Sequence, residues 1–374
     1  MNAAVATRAS IALRPAPARI ALLGTGNVGK AVLARLAGWE GTSFGERLSL
    51  CHAANSRFAF QPTSFSDAAL RANSHERNAS CMATSPQAIP SALGGGGVRI
   101  IIDATASEAV AERHVHWLEQ GIHVVTACKL GQGTSLARWR DIRSACARGG
   151  TRYGDSATVG AGLPLLKSIR ALQDGGDRIH AIAGVLSGSL AWLLNEYDGL
   201  RPFSAFVRQA RDAGYTEPDP RDDLSGEDVR RKLLILARAA GHQLNVADVG
   251  VASMLTPDLA EAADTDIDAL LPSLDAPMRE GFAIAYKRGE KLRFIARLEN
   301  GEARVGLESL PVDHPLAIGA GTDNRVAIWS DRYRQRPLVI QGPGAGADVT
   351  AAALLDDVLD IASEVARIEE NAPS

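Results

Sequence analysis

An apolar strand at Arg19–Leu23 runs into Gly24-Thr25-Gly26-Asn27-Val28-Gly29 and then a helix. Further apolar strands alternate with helices to about residue 157, and 279–310 changes to strand-like alternation around Asn300-Gly301. Together these predict an α/β fold: a Rossmann-type doubly wound parallel sheet with a second, α+β domain. The expected boundaries are 19–157 for the dinucleotide-binding domain, completed by 340–370, and 158–339 for a substrate-binding catalytic domain. A length of 374 residues agrees with two cores rather than one.

The glycine turn carries the first chemistry. Gly24 permits a tight turn, Gly26 lets backbone approach a pyrophosphate, and Gly29 allows close packing of the helix Lys30–Leu36. The amides of Asn27, Val28 and Gly29 open that helix, where the backbone favours an anion. Strand before and helix after make the motif specific. The second strand, Leu48–Ala54, ends in Asn55-Ser56-Arg57 with no acid to hold a ribose 2′-hydroxyl. Arg57 is either a partner for a 2′-phosphate or a solvated loop arginine, and the first reading favours NADP with NAD possible.

Residues 61–97 are polar and end in four glycines, which predicts an irregular surface insertion with one helix. Val98–Asp103 is the next buried strand, and Thr105 stands at the sheet edge where open α/β folds bind ligands. A helix over Glu108–Gln120 leads to the strand Gly121–Thr126, which delivers Cys128 and Lys129 to that edge. Alone, Lys129 reads as a surface lysine and Cys128 as a packed thiol. Thr151–Val159 then leads into Gly160-Ala161-Gly162-Leu163-Pro164, and Ile179–Ser189 is a strand and turn ahead of the helix Leu190–Tyr197.

The most informative run is Gly214-Tyr215-Thr216-Glu217-Pro218-Asp219-Pro220-Arg221-Asp222-Asp223-Leu224-Ser225-Gly226-Glu227-Asp228, continuing to Lys232. Its prolines and glycines predict an irregular first half. Ser225 with Asp228 reads as a capping box opening a helix that ends near Ala240 before Gly241. At about 100° per residue, Asp228 and Lys232 fall inside the apolar arc while Arg230 and Arg231 point away. Either Asp228 caps the helix and Lys232 snorkels from a rim, or the inward pair serves a reaction. Glu217, Asp222 and Asp223 crowding just before it favour a site for a small zwitterion, with lysine at the reacting oxygen.

This run resembles the signature of homoserine dehydrogenases, especially those fused to aspartate kinase in bacteria or found alone in fungi. The resemblance extends from Arg19 to about Glu369, including Val159-Gly160-Ala161-Gly162-Leu163-Pro164 and Gly342-Pro343-Gly344-Ala345-Gly346 through Thr350. It implies NAD(P)-dependent interconversion of L-homoserine and L-aspartate 4-semialdehyde, in threonine and methionine biosynthesis. Lys129, Lys232 and Asp228 would be catalytic, and Glu217, Asp223, Thr216 and Tyr215 would bind substrate. The cofactor would meet Gly24, Gly26, Asn27, Val28, Gly29, Arg57, Thr105, Lys129 and Gly344. The backbone carbonyls of Val159, Ala161 and Leu163 would hold a monovalent cation, Na⁺ or K⁺. Family members carry an acid where Ser156 stands here, and Asp155 lies one residue earlier, so either could complete the cation site. Cys128 stands where the family has Asn. A homodimer is implied, the second domain serving dimerisation as well as substrate.

Two rivals are a related semialdehyde reductase and a non-catalytic nucleotide sensor. The first would use a cysteine or histidine in a motif absent here, and the second has no need of an inward Lys–Asp pair. A hydrophobic content of 46%, 22% charged residues and a net charge of −3 suit a globular enzyme with no attraction to nucleic acid or anionic membrane. No apolar run reaches the ~18 residues of a transmembrane helix. Cys51, Cys81, Cys128 and Cys146 are far apart and form no CxxC, which fits a reducing cytoplasm. Residues 1–18 lack an apolar core for secretion and resemble a transit peptide in composition, with a disordered tail or over-long start the expectation. With no further segment long enough to hold its own core, the expectation is no dedicated threonine-sensing domain and weak, competitive inhibition by threonine.

Overall fold

The computed structural model describes residues 16–74 and 89–371. The expectation of a disordered tail therefore falls almost wholly outside the described residues, as do Cys81 and part of the 61–97 insertion. Two six-stranded sheets organise the chain. The first comprises β1 (Ala18–Leu23), β2 (Leu48–Ala54), β3 (Ala59–Phe60), β4 (Arg99–Asp103), β5 (His123–Thr126) and β6 (Tyr153–Gly154), in the order β3-β2-β1-β4-β5-β6. All pair in parallel except β3, which returns antiparallel at the edge. Ile20, Leu22, Ile100, Ile101 and Ile102 are fully buried, as strands covered by helices on both faces must be.

The second sheet comprises β7 (Ile179–Val185), β8 (Val249–Val251), β9 (Glu290–Glu299), β10 (Glu302–Pro311), β11 (Asp323–Ser330) and β12 (Leu338–Pro343), in the order β12-β11-β7-β9-β10-β8. It is antiparallel apart from the β8–β10 contact. Asn300 (φ 53°) and Gly301 (φ 83°) close the β9–β10 hairpin with two left-handed residues, the geometry a two-residue turn needs. The helix Glu227–Ala239 lies on this sheet through Val229, Leu233 and Leu236, in one core with Phe294 and Leu298.

Several local expectations change. The helix expected over Glu108–Gln120 is two pieces, Glu108–Ala111 and His114–Glu119, with His114 turned inward to Asp103 at the break. Among its described residues the insertion holds two short helices, Phe65–Asn73 and Ile89–Leu93, rather than one. The first half of the charged run is not wholly irregular: Pro220–Leu224 forms a helical turn with Pro at its start and Asp219 accepting the Arg221 N–H at 2.9 Å. Ser225 therefore cannot open the next helix; Gly226 (φ 77°) does, with no side-chain cap. Arg231 does not face solvent alone but packs on Gly133 of the first half. At the C-terminal side, β12 pairs with β11, so residues 340–343 stay with the second sheet. Only the helix Ala347–Asn371 returns to the first, burying Leu354, Leu355 and Val358 against Val32, Leu36 and Ile100.

Candidate active site

The glycine turn is shaped for phosphate by what it lacks. Gly24 sits at φ 91°, and a Cβ there would lie 2.6 Å from the Ala104 carbonyl oxygen. A Cβ on Gly29 would lie 1.8 Å from the Gly24 carbonyl oxygen, so helix and strand close only over glycine. A Cβ on Gly26 would meet nothing within 4 Å, which leaves open space over the helix start. The helix Asn27–Gly38 has no side-chain cap and no acid in its first turn, leaving its amides free to face an anion. At the end of β2, Asn55 donates to Thr25 Oγ1 at 2.7 Å and accepts the N–H of Arg57 at 2.8 Å. Among the described residues no carboxylate is bonded in this turn, and Arg57 is exposed. The turn fits a dinucleotide.

Asp103, fully buried at the end of β4, ties this edge together. It accepts from Thr105 Oγ1 at 2.6 Å, Thr126 Oγ1 at 3.0 Å and His114 Nε2 at 3.1 Å. Thr105 Cγ2 in turn lies 3.0 Å from where a Gly24 Cβ would stand, so Thr105 borders the glycine turn. Thr126 Oγ1 accepts the Cys128 N–H at 2.8 Å and sets the exit of β5 toward Lys129. Cys128 is buried, and burial, with the Asp103 charge second, pushes its thiol up to about 11. It carries no thiolate at neutral pH and is the packed thiol the sequence suggests.

Lys129 and Lys232, from the two halves of the molecule, converge on one carboxylate. Lys129 Nζ lies 3.2 Å from Asp228 Oδ1, and Lys232 Nζ lies 2.8 Å from Oδ2. Lys232 Nζ also donates to the Leu186 carbonyl at 2.7 Å, beyond the end of β7. Lys232 is thus fixed by two acceptors, while Lys129 keeps a third of its side chain exposed. Burial alone would raise the Asp228 carboxyl, but the Lys232 and Lys129 ammoniums outweigh it and hold it well below the usual carboxylate range. Asp228 is an inward ion-pair partner and not a helix cap.

The substrate-binding candidates surround this junction unevenly. Asp223 accepts the Ser189 hydroxyl and the Glu217 N–H at 2.9 Å. Burial raises its carboxyl above the ordinary value, with the Asp228 and Asp222 charges adding, against the Ser189 and Glu217 hydrogen bonds. The Glu217 side chain is exposed, and among the described residues it is the backbone N–H that is anchored. Thr216 is buried, and its Oγ1 has no partner among the described residues. Tyr215 is exposed and rests its ring on Trp192 at 5.1 Å. Asp222 is exposed and stands apart from the pair.

Gly344 closes the site from the C-terminal segment. A Cβ there would lie 2.0 Å from the Asn324 amide carbon, so only glycine fits over that side chain. Asn324 Nδ2 donates to the same Leu186 carbonyl at 3.4 Å, and its Oδ1 is buried without a partner among the described residues. Leu186, Ser189 and Asn324 were not singled out from the sequence. The Leu186-Ser187-Gly188-Ser189 turn, polar and at a strand end, was the available signal.

The side-chain half of the expected cation site does not form. Both Asp155 oxygens accept from Arg170, at 2.7 and 2.6 Å, and Ser156 Oγ donates to Asp357 at 2.8 Å. The Leu163 carbonyl accepts the Leu165 N–H at 2.7 Å. What remains of the expected set is the carbonyl part at Val159 and Ala161, where Gly160 (φ 75°) and Ala161 (φ 50°) turn the backbone. Among the described residues, no cluster of three His, Cys, Asp or Glu could hold a metal, and no helix is long and apolar enough to cross a membrane.

Comparison with known proteins agrees with the fold. The family model for the homoserine dehydrogenase NAD-binding domain matches residues 24–154, and that for homoserine dehydrogenase matches residues 164–359. The homoserine dehydrogenase of Emericella nidulans is 38% identical over 71% of this chain and 76% of its own. A bifunctional aspartokinase/homoserine dehydrogenase of Zea mays is 41% identical over 71% of this chain, but the match spans only 29% of that relative. A solved structure of a putative homoserine dehydrogenase from Archaeoglobus fulgidus superposes with a TM-score of 0.75 at 25% identity, covering 92% of this chain and 99% of that one. With two family domains in sequence over a Rossmann sheet and its companion, the chain belongs to the homoserine dehydrogenase family.

Proposed function

We propose that the chain is an NAD(P)-dependent homoserine dehydrogenase that interconverts L-homoserine and L-aspartate 4-semialdehyde. The observation that carries this is the meeting of Lys129 and Lys232 on Asp228, at the edge where the glycine turn opens. The dinucleotide is held by Gly24, Gly26, Asn27, Val28, Gly29, Thr105 and Gly344, and supplies the hydride acceptor for alcohol oxidation. Arg57 takes the 2′-phosphate, so NADP serves at least as well as NAD.

The chain's own residues hold the substrate and move a proton. Asp223 and Glu217 take the substrate ammonium, with Thr216 and Tyr215 lining the pocket. Lys129 and Lys232 address the alcohol oxygen. In oxidation one of them, as the neutral amine, takes the hydroxyl proton; in reduction its ammonium returns it. Asp228 places both. Na⁺ or K⁺ at the Val159–Leu163 turn belongs to this reading through carbonyls alone, and no step passes through it.

A homodimer is part of the proposal, with the half-buried Trp329 and Val339 of the second sheet as available surface. So is a cytoplasmic location, supported by the free thiols Cys51, Cys128 and Cys146. The test is homoserine oxidation with NADP and with NAD, followed by cofactor absorbance. No turnover with either cofactor would sink the reading.

A further inference from the structure

We propose that Arg238 is a positioning residue that clamps the loop 129–135 onto the helix Glu227–Ala239, so that Lys129 reaches Asp228. The proposal rests on the homoserine dehydrogenase reading above. Asp228 and Arg238 lie ten residues apart on that helix, about 15 Å along its axis. The first meets the start of the loop and the second its far end.

Arg238 is only 2% exposed. Its guanidinium donates to the Gln132 carbonyl, to the Thr134 carbonyl at 2.8 Å and to the Leu244 carbonyl at 2.9 Å. Among the described residues no carboxylate pairs with it, and burial lowers its pKa to about 10. A buried cation answered only by carbonyls is costly for packing, and an apolar side chain would fill the same space more cheaply. What arginine adds is a rigid fork of donors that can grip several carbonyls at once. Two of those carbonyls belong to the other half of the molecule.

The gripped loop is stiff and fitted on both sides. Gly133 N–H donates to the Lys129 carbonyl at 2.7 Å, Thr134 Oγ1 to the Leu130 carbonyl at 2.8 Å, and Arg138 to that same carbonyl at 3.1 Å. A Cβ on Gly133 would come 2.8 Å from the Lys129 carbonyl oxygen and 3.2 Å from Arg231 Cβ. On the opposite side a Cβ on Gly131 would lie 2.2 Å from the Tyr153 hydroxyl, which is bonded to His114 at 2.9 Å. Movement at Gln132 or Thr134 is thereby passed to Lys129.

The test is steady-state kinetics of Arg238→Met, Arg238→Lys and Gly133→Ala, alone and combined with Lys129→Ala, with amide hydrogen exchange over 130–134. Arg238→Met should lower kcat about tenfold or more, given how steeply rate depends on placement. Its KM for the cofactor should stay within about twofold, with Arg238→Lys recovering part of the loss. In the Lys129→Ala background the further loss should be under about twofold, because the arginine acts through that lysine. Wild-type kcat in a folded Arg238→Met, or its full loss repeated without Lys129, overturns the proposal. Should Arg238→Met not fold, the partial loss in Arg238→Lys decides by the same coupling, since Gly133→Ala presses on the Lys129 carbonyl whether or not the arginine grips the loop. An absence of homoserine turnover in the wild type ends the functional reading alone. The clamp is then judged by exchange: faster exchange over 130–134 in Arg238→Lys supports it, and unchanged exchange overturns it.

Discussion

The two ends of the proposed site are made of different material. The end proposed for the cofactor is backbone: glycines without Cβ atoms, uncapped helix amides and no acid in the first turn. The end proposed for the substrate is side chain: two lysines, Asp228, a raised Asp223 and a Thr216 hydroxyl with no partner among the described residues. Backbone sites are broken by adding atoms, and side-chain sites by removing them. The contrast separates affinity for the cofactor from chemistry on the substrate.

The largest effects belong to the substrate end. Lys129→Ala and Lys232→Ala should each lower kcat by about 10²-fold or more in a folded protein, as for loss of a proton-transfer group. Near-normal turnover in either variant removes that lysine from the mechanism. At the cofactor end two glycine substitutions should part company. Gly29→Ala puts a Cβ 1.8 Å from a carbonyl oxygen and should cost at least the ~1–3 kcal/mol of overpacking, seen as a lowered Tm. Gly26→Ala meets nothing in the protein, so Tm should hold while KM for the cofactor rises, about tenfold for each ~1.4 kcal/mol of lost binding. Equal Tm losses in the two would undo the distinction.

The third effect is one of pH. Asp223 has a raised carboxyl and Asp228 a depressed one, so as pH falls Asp223 protonates first while Asp228 stays ionised. In the reducing direction, where the lysine acts as its ammonium, the acid limb of kcat/KM for the semialdehyde should therefore report Asp223, appear above the ordinary carboxylate pKa and vanish in Asp223→Asn. For stability the signs are opposite. The Asp228 contribution is present above the unfolded carboxylate pKa and is lost only as pH falls through its depressed folded value. The raised Asp223 favours folding at low pH and loses that contribution as pH rises through its folded value. An acid limb unchanged in Asp223→Asn would assign it elsewhere. A smaller effect falls on Arg57→Ala, which should raise KM for NADP severalfold and leave NAD alone. The smallest is the cation: with Asp155 held by Arg170, exchanging Na⁺ or K⁺ for a bulky organic cation should change activity less than any substitution above.

The contrast also explains what could be read in advance. The glycine turn, the Asn300-Gly301 hairpin and the inward Lys232 follow from local rules of backbone freedom and helical period, and all three stand in the structure. What escaped depends on partners distant in sequence. Ser225 and Asp228 have the spacing of a capping box, but the turn Pro220–Leu224 ends at Gly226, whose Cβ would lie 2.8 Å from the Phe294 ring. Asp155 looked free for a cation because Arg170, fifteen residues on, cannot be paired with it by any pattern. Arg238 sits in the last turn of a helix, where a basic residue has a ready local explanation, and its contacts at Gln132 and Thr134 lie across the molecule.

The returning C-terminal helix has a consequence for how the protein is made. Leu354, Leu355 and Val358 fill the core beside Val32, Leu36 and Ile100, yet they leave the ribosome after the whole second sheet. The parallel sheet, first to be synthesised, is thus the last to be finished, and its apolar face stays uncovered until residue 347 onward is available. Such long-range closure slows folding and exposes hydrophobic surface meanwhile. A chain interrupted between Lys232 and that helix would hold every residue of the charged junction and still lack a completed nucleotide half.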